Sequence, residues 1–181
     1  MRMRKKKNLQ PRMDACGDCW IRDPERLRGH WRALYPQAKS LEVELGCGKG
    51  RFTAGTAKAQ PDTLLIAVEK VPDAMVVAME RVTAEGLKNV FFLDADAALL
   101  PMLFAAGEVD RLYINFCDPW PKSNQKKRRL THGNFLKKYR QVLDGSRAGQ
   151  KLYELSHELK TALKKSLLPV STVFEDMGFT Y

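Results

Sequence analysis

The run Glu44-Leu45-Gly46-Cys47-Gly48-Lys49-Gly50 constrains this chain more than any other segment: alternate glycines stand directly after an apolar, strand-like stretch and directly before a helical one. Glycine lacks a β-carbon, so the backbone there can turn sharply and another group can approach it closely. Such a turn belongs at the carboxyl end of a strand. The rest of the chain keeps the same rhythm. Leu41–Leu45, Leu64–Val68, Asn89–Leu93 and Val109–Phe116 read as successive strands. Residues 51–60 read as a helix ended by Pro61, and Pro72-Asp73 opens another in which Met75, Val76, Met79 and Val82 recur at helical spacing before Gly86 closes it. These methionines and valines are core positions facing the sheet. Strands alternating with helices in this way predict an α/β fold with a doubly wound, mostly parallel sheet.

The opening of the chain does not share that rhythm. Residues 1–12 hold six positive charges and no negative one, which predicts a flexible basic arm followed by a single domain over 13–181. Asp23-Pro24-Glu25 reads as an N-cap with proline at the first helical position, leading a short helix through Leu27, Trp31 and Leu34. With 181 residues and 44% hydrophobic content, the chain can bury one core, and wholesale disorder is excluded. No apolar run approaches the roughly 18 residues a membrane span needs, and no apolar signal region follows the charged N-terminus. A cytoplasmic protein without a membrane partner is expected. The balance of 31 Lys and Arg against 21 Asp and Glu leaves a net charge of +10, which favours a polyanionic partner, nucleic acid ahead of a membrane surface.

Cysteines stand at 16, 19, 47 and 117, too few and too irregular for a disulfide scaffold. Cys16-Gly17-Asp18-Cys19 has no second CxxC or HxxxH pair to complete a zinc site, so no metal is expected. His30, His132 and His157 are isolated and take surface, capping or packing roles.

The chemistry of the glycine turn follows from its acidic neighbour. A dinucleotide turn is spaced GxGxxG and rests a pyrophosphate on the following helix. Here the spacing is GxGxG, and Glu44 would repel pyrophosphate while suiting a ligand that carries an ammonium and a sulfonium. S-adenosylmethionine is such a ligand, with the backbone of Gly46, Gly48 and Gly50 approaching it. Glu69 ends the second strand 19 residues after Gly50, where a carboxylate can accept from both ribose hydroxyls. Asp96, just after the third strand, could accept from the adenine amino group. Its neighbour Asp94 is expected to be a turn acid or helix N-cap.

Asn115-Phe116-Cys117-Asp118-Pro119-Trp120-Pro121-Lys122 ends the fourth strand in a loop stiffened by prolines, and Lys126-Lys127-Arg128-Arg129 follows with four positive charges suited to phosphate contacts. Together with Met1-Arg-Met-Arg-Lys-Lys-Lys, Glu44-Leu-Gly-Cys-Gly-Lys-Gly-Arg-Phe52, Glu69, Gly107–Lys122 and Lys127-Arg-Arg-Leu-Thr-His132, this loop closely resembles the bacterial tRNA (guanine-N7)-methyltransferase family. The likeness spans residues 1 to about 143. It implies a Rossmann-like fold of the class I methyltransferase type, S-adenosylmethionine as cofactor, and tRNA as partner, methylated at N7 of guanine 46 in the variable loop. By the same likeness Glu44, Glu69, Asp96 and Asp118 are cofactor and active-site carboxylates, and Lys122 is a substrate contact. Guanine N7 has an in-plane lone pair and no proton, so Asp118 suits an anchor for the guanine N1–H and N2–H edge better than a base. Trp120 would stack on a base or plug the loop from beneath.

Beyond Val142-Leu143 the chain departs from that family. The resemblance predicts a Pro-Gly-Gly turn, a fifth strand and a Thr-Asp-Asn motif, whereas the chain reads Asp144-Gly-Ser-Arg-Ala-Gly-Gln-Lys-Leu-Tyr-Glu-Leu-Ser156. Aligned without a gap, Glu154 falls where the family's substrate-binding aspartate would be. With a gap, Leu152–Leu159 matches the helix after the motif and the strand is absent, which is the better alignment. Val170-Ser-Thr-Val-Phe174 is the one other β-rich run that could fill the place. Two alternatives therefore accompany the leading reading. One is a methyltransferase of exocyclic base amines, which the order Asp118-Pro-Trp-Pro121 argues against. The other is a non-catalytic RNA-binding relative with an incomplete substrate site.

Overall fold

Burial on both faces sets the architecture. The computed structural model describes residues 5–115 and 123–143. Its strands are β1 (Ser40–Leu45), β2 (Thr63–Glu69), β3 (Val90–Asp94) and β4 (Arg111–Ile114), all pairing parallel, and among the described residues their order is β3-β2-β1-β4. In β2 every residue from Thr63 to Val68 is buried, the pattern of a strand covered on two sides. Leu65 and Ala67 join one core, and Leu64, Ile66 and Val68 the other. Helices α1 (Leu9–Ala15), α2 (Arg51–Ala59) and α3 (Pro72–Ala84) supply the first core. Helices α4 (Leu100–Leu103) and α5 (Gly133–Leu143) supply the second with Trp31. The doubly wound parallel sheet is thus present. Its chain order runs outward from β1 to β3 and returns to β4 on the far side of β1, which makes the carboxyl ends of β1 and β4 a topological switch point.

The first forty residues differ from the sequence reading. Leu9–Ala15, whose first four residues fall in the expected basic arm, form α1. Leu9 and Met13 lie one turn apart and pack into the core with α3, and Arg12 makes a bidentate pair with Glu80 at 2.6 and 2.7 Å. Even the backbone N–H of Lys6 donates to the Asp73 carboxylate. The short helix expected from Asp23 is instead two 3₁₀ turns, Pro24–Leu27 and Trp31–Leu34, and Asp23 makes no capping bond. Gly29 breaks the run at φ 83°, and a distant carboxylate, Glu108, accepts from the N–H groups of Gly29, Trp31 and Ala105 at 2.9, 3.2 and 2.7 Å. Trp31 is fully buried, donates from Nε1 to the Leu103 carbonyl at 2.9 Å, and stacks on Phe104 at 5.0 Å.

Trp20 and Ile21 run alongside β3. Trp20 pairs with Phe92 as a parallel bridge, and the Ile21 N–H donates to the Phe92 carbonyl at 3.0 Å. At β4 the ladder is shorter than the expected 109–116. The Val109 N–H turns to the carbonyl of Val142 in α5, while Asp110 exchanges its backbone N–H and its carboxylate with the main chain of Leu41. Phe116, the segment Leu152–Leu159 and the run Val170–Phe174 lie outside the described residues.

Asn89 fastens the start of β3 to the rest. It is buried, and the two hydrogens of its Nδ2 are shared among the carbonyls of Ala57, Gln60 and Thr63 at 3.1, 3.2 and 3.0 Å, joining the end of α2 to the start of β2. Asn89→Ala leaves those carbonyls short of a donor, and chemical denaturation should record a loss of about 2–4 kcal/mol.

Candidate functional site

The glycine turn begins where β1 ends and closes into α2. Gly46, Gly48 and Gly50 all take positive φ, at 74°, 56° and 71°. At Gly46 the turn passes the end of β4 closely, since a β-carbon there would lie 3.7 Å from the Asn115 carbonyl oxygen. Gly50 has the tighter requirement. A β-carbon there would sit 2.5 Å from Cβ and 2.8 Å from Cα of Ala78, so α2 can start only where nothing projects toward α3. The N–H groups of Gly46 and Cys47 both point at the Val68 carbonyl, at 2.8 and 3.3 Å, which ties the turn to β2.

The carboxylates occupy the strand ends as expected, but each is held differently. Glu69 is the last residue of β2, and its two oxygens accept from the N–H of Gly48 at 2.9 Å and of Val71 at 3.0 Å. One side chain thus braces both the turn and the entry to α3. Glu44 points into the interior and is only 1% exposed. Thr53, buried in α2, donates from Oγ1 to Glu44 Oε2 at 2.6 Å. Burial pushes the Glu44 carboxyl above its ordinary range; Thr53 and the Asn115 amide pull it back down, and the charge of Glu69 pushes it up again. The Asn115 Nδ2 is buried close enough to Glu44 to lower it, but among the described residues it closes no hydrogen bond of full geometry. Cys47 feels burial first and then both carboxylates, all raising its thiol, so Glu44, Cys47 and Glu69 share one neighbourhood.

At the end of β3 the capping role expected of Asp94 falls to its neighbour. Asp96, rather than Asp94, is the helix cap, accepting from the Ala98 N–H at 2.8 Å, while Asp94 is the last strand residue and pairs in register with Glu69. Both are exposed at the carboxyl edge of the sheet. Asp118, Lys122, Glu154 and Trp120 lie outside the described residues, as does Cys117. Lys126, Lys127 and Arg128 are exposed on the 3₁₀ turn Ser123–Arg128. Cys16 and Cys19 are buried free thiols; Cys19 lies 3.9 Å from the Thr83 hydroxyl, and burial pushes it up to about 11. Thr53 and Asn115 are the site residues that motif reading missed. Only the position of Thr53, one turn into the helix after Gly50, could have suggested its contact.

This geometry fits a ligand with a cationic end and a neutral, hydroxyl-bearing body. The Gly48 N–H, which would receive phosphate at a dinucleotide turn, is already taken by Glu69. A second anion beside Glu44 and Glu69 would be repelled, whereas an ammonium would be attracted.

A doubly wound parallel sheet with an acidic glycine turn at its switch point defines a class I methyltransferase fold. A family model described as "Putative methyltransferase" matches residues 38–149, and the chain belongs to that family. Curated relatives are proteins named tRNA (guanine-N(7)-)-methyltransferase. One from Geobacillus kaustophilus is 43% identical over 143 residues, and one from Bacillus velezensis is 40% identical over the same length. Each alignment covers 79% of this chain and 66% of the relative, so the chain spans just under two thirds of the length of these proteins. Among solved structures, the antibiotic-resistance methyltransferase Kmr superposes with TM-score 0.51 at 28% identity, over 64% of this chain and 60% of its own. A 16S rRNA (adenine(1408)-N(1))-methyltransferase from Catenulisporales acidiphilia shares the fold, with TM-score 0.50 at 21% identity over 67% of this chain and 54% of that one.

The buried carboxylate has a measurable cost. Because folding raises the Glu44 carboxyl, its ionised form opposes folding at neutral pH and its protonated form does not. Glu44→Gln should therefore raise the thermal midpoint at pH 7. The gain over wild type should shrink as pH falls through the raised carboxyl range and vanish below the ordinary glutamate range.

Proposed function

We propose that this chain transfers a methyl group from S-adenosylmethionine to N7 of guanine in tRNA, at position 46 of the variable loop. The observation that carries this reading is the 143-residue match, at 43% identity, to a protein named tRNA (guanine-N(7)-)-methyltransferase; position 46 is what the resemblance of the motifs implies. The acidic glycine turn at the switch point supports the choice of cofactor.

When bound, the cofactor supplies an electrophilic methyl on sulfonium. In this reading the chain's own residues position its parts. Glu44 meets the ammonium end, Gly46, Gly48 and Gly50 let the backbone come close, Glu69 accepts from the ribose hydroxyls, and Asp96 accepts from the adenine amino group. On the substrate side, Asp118 anchors the guanine Watson–Crick edge and counters the positive charge that develops on the purine, while Lys122 and Glu154 contact the nucleotide. No residue has to remove a proton before attack, since guanine N7 offers its lone pair directly, so orientation and charge complementarity carry the rate. The exposed Lys126, Lys127 and Arg128, within a net charge of +10, suit the phosphate backbone of the partner.

One observation favours a second reading. The Thr-Asp-Asn motif expected after Leu143 is absent from the sequence, which is what a non-catalytic RNA-binding relative with an incomplete substrate site would show. Methyl transfer from labelled S-adenosylmethionine to an unmodified tRNA transcript, beside one with guanine 46 changed to adenine, separates the two. Transfer to the first alone is expected, with a large loss in Asp118→Ala. Transfer to neither transcript favours the binding protein, and wild-type turnover in Asp118→Ala removes the role given to that carboxylate.

A further inference from the structure

Two polar side chains, Thr53 and Asn115, flank Glu44. Thr53 lies in the first turn of α2, fully buried, and its hydroxyl donates to Glu44 Oε2 at 2.6 Å. Packing does not require that oxygen, because the neighbouring buried positions of the helix, Ala54 and Ala57, are apolar and valine has nearly the same shape. On the other side of β1, Asn115 follows β4, and its Nδ2 is buried without a full hydrogen bond among the described residues. These donors come from the two elements that flank β1 at the switch point. A buried amide with no full hydrogen bond is costly, and its placement beside an anion calls for a reason other than packing.

We propose that Thr53 is a positioning residue for the cofactor site, its hydroxyl, seconded by the Asn115 amide, holding the Glu44 carboxylate in one orientation as a fixed negative charge toward the cofactor's ammonium group. The inference rests on the reading of Glu44 as a cofactor carboxylate. The groups that face Glu44 are Thr53 from α2, Asn115 beyond β4, Cys47 from the turn and Glu69 from β2. Of these Glu69 alone is charged, and it opposes ionisation of Glu44, as does burial. The Thr53 hydroxyl counters both first, with the nearby Asn115 amide acting in the same direction. Without the hydroxyl, Glu44 should take up a proton at a higher pH and lose its fixed direction.

The test is binding of S-adenosylmethionine to the full chain by titration calorimetry between about pH 5 and pH 8, in wild type, Thr53→Val, Thr53→Ser and Glu44→Gln. Thr53→Val should bind roughly 10-fold more weakly at neutral pH, the scale of one hydrogen bond to a charged group. The pH at which its affinity falls by half should move upward. Thr53→Ser, which keeps the hydroxyl, should restore both affinity and pH profile. A thermal scan confirms that each variant is folded, and Thr53→Ala makes the same comparison if Thr53→Val is not. The proposal is overturned if Glu44→Gln binds poorly while the hydroxyl-free variant keeps wild-type affinity and pH profile. If Glu44→Gln binds as tightly as wild type, the assignment of Glu44 to the cofactor fails, and the role of Thr53 fails with it.

Discussion

The absence of one methyl group, at Gly50, governs where everything around the glycine turn can sit. Ala78 of α3 occupies the space a side chain at 50 would need. With that space conceded, the turn leaves β1, bonds back on itself through the Gly50 N–H to the Cys47 carbonyl at 2.9 Å, and starts α2 against α3. The direction of α2 then follows. Its first turn passes over the end of β1, which brings Thr53 to Glu44, while the other side of the turn closes on Asn115. A helix starting farther from α3 would keep the same strands but separate these contacts.

Two glutamates at neighbouring strand ends show how environment divides labour between identical side chains. Glu69 is a structural acceptor as well as a candidate ligand, since main-chain N–H groups on both sides use its oxygens. Each oxygen keeps a second lone pair for hydroxyl donors. Glu44 is the opposite case, a carboxylate in an apolar interior with its hydrogen bond from a side chain. Burying a charge with so little compensation opposes folding, and such arrangements belong where the charge serves recognition. Cys47 beside them is a small thiol kept neutral first by its burial and then by both carboxylates.

The sheet was legible in the sequence because its causes are local. Runs such as Leu64–Val68 have no polar residue, and strands of that kind have few alternatives to a two-faced parallel sheet. The positions of the glycine turn, Glu44, Glu69 and Asp96 were legible for the same reason, each fixed by its place at or just past the end of a strand. What was not legible depends on partners far along the chain. The break in the expected 24–34 helix is held by Glu108, and α1 exists through Leu9, Met13 and an ion pair to Glu80 that no run of positive charge announces. Capping by Asp96 instead of Asp94 goes with a one-residue shift in where the strand ends, from Leu93 to Asp94, within the ordinary uncertainty of such boundaries. Thr53 and Asn115 escaped notice because their contact with Glu44 is tertiary.

The segment at Trp20 and Ile21 has a consequence for the molecule's polarity. Lying along β3, it occupies hydrogen-bonding positions that an intruding strand would need, and Arg22 stacks over the Trp20 ring at 4.6 Å to shield it. One flank of the sheet is therefore sealed by the chain's own beginning. Among the described residues the other flank is β4, next to Asn115, so any further pairing is directed to the side where the switch point lies. Because Glu44 stands on β1, directly beside β4 and Asn115, whatever meets that open flank lies next to the buried carboxylate, while the flank at Trp20 lies two strands away from it.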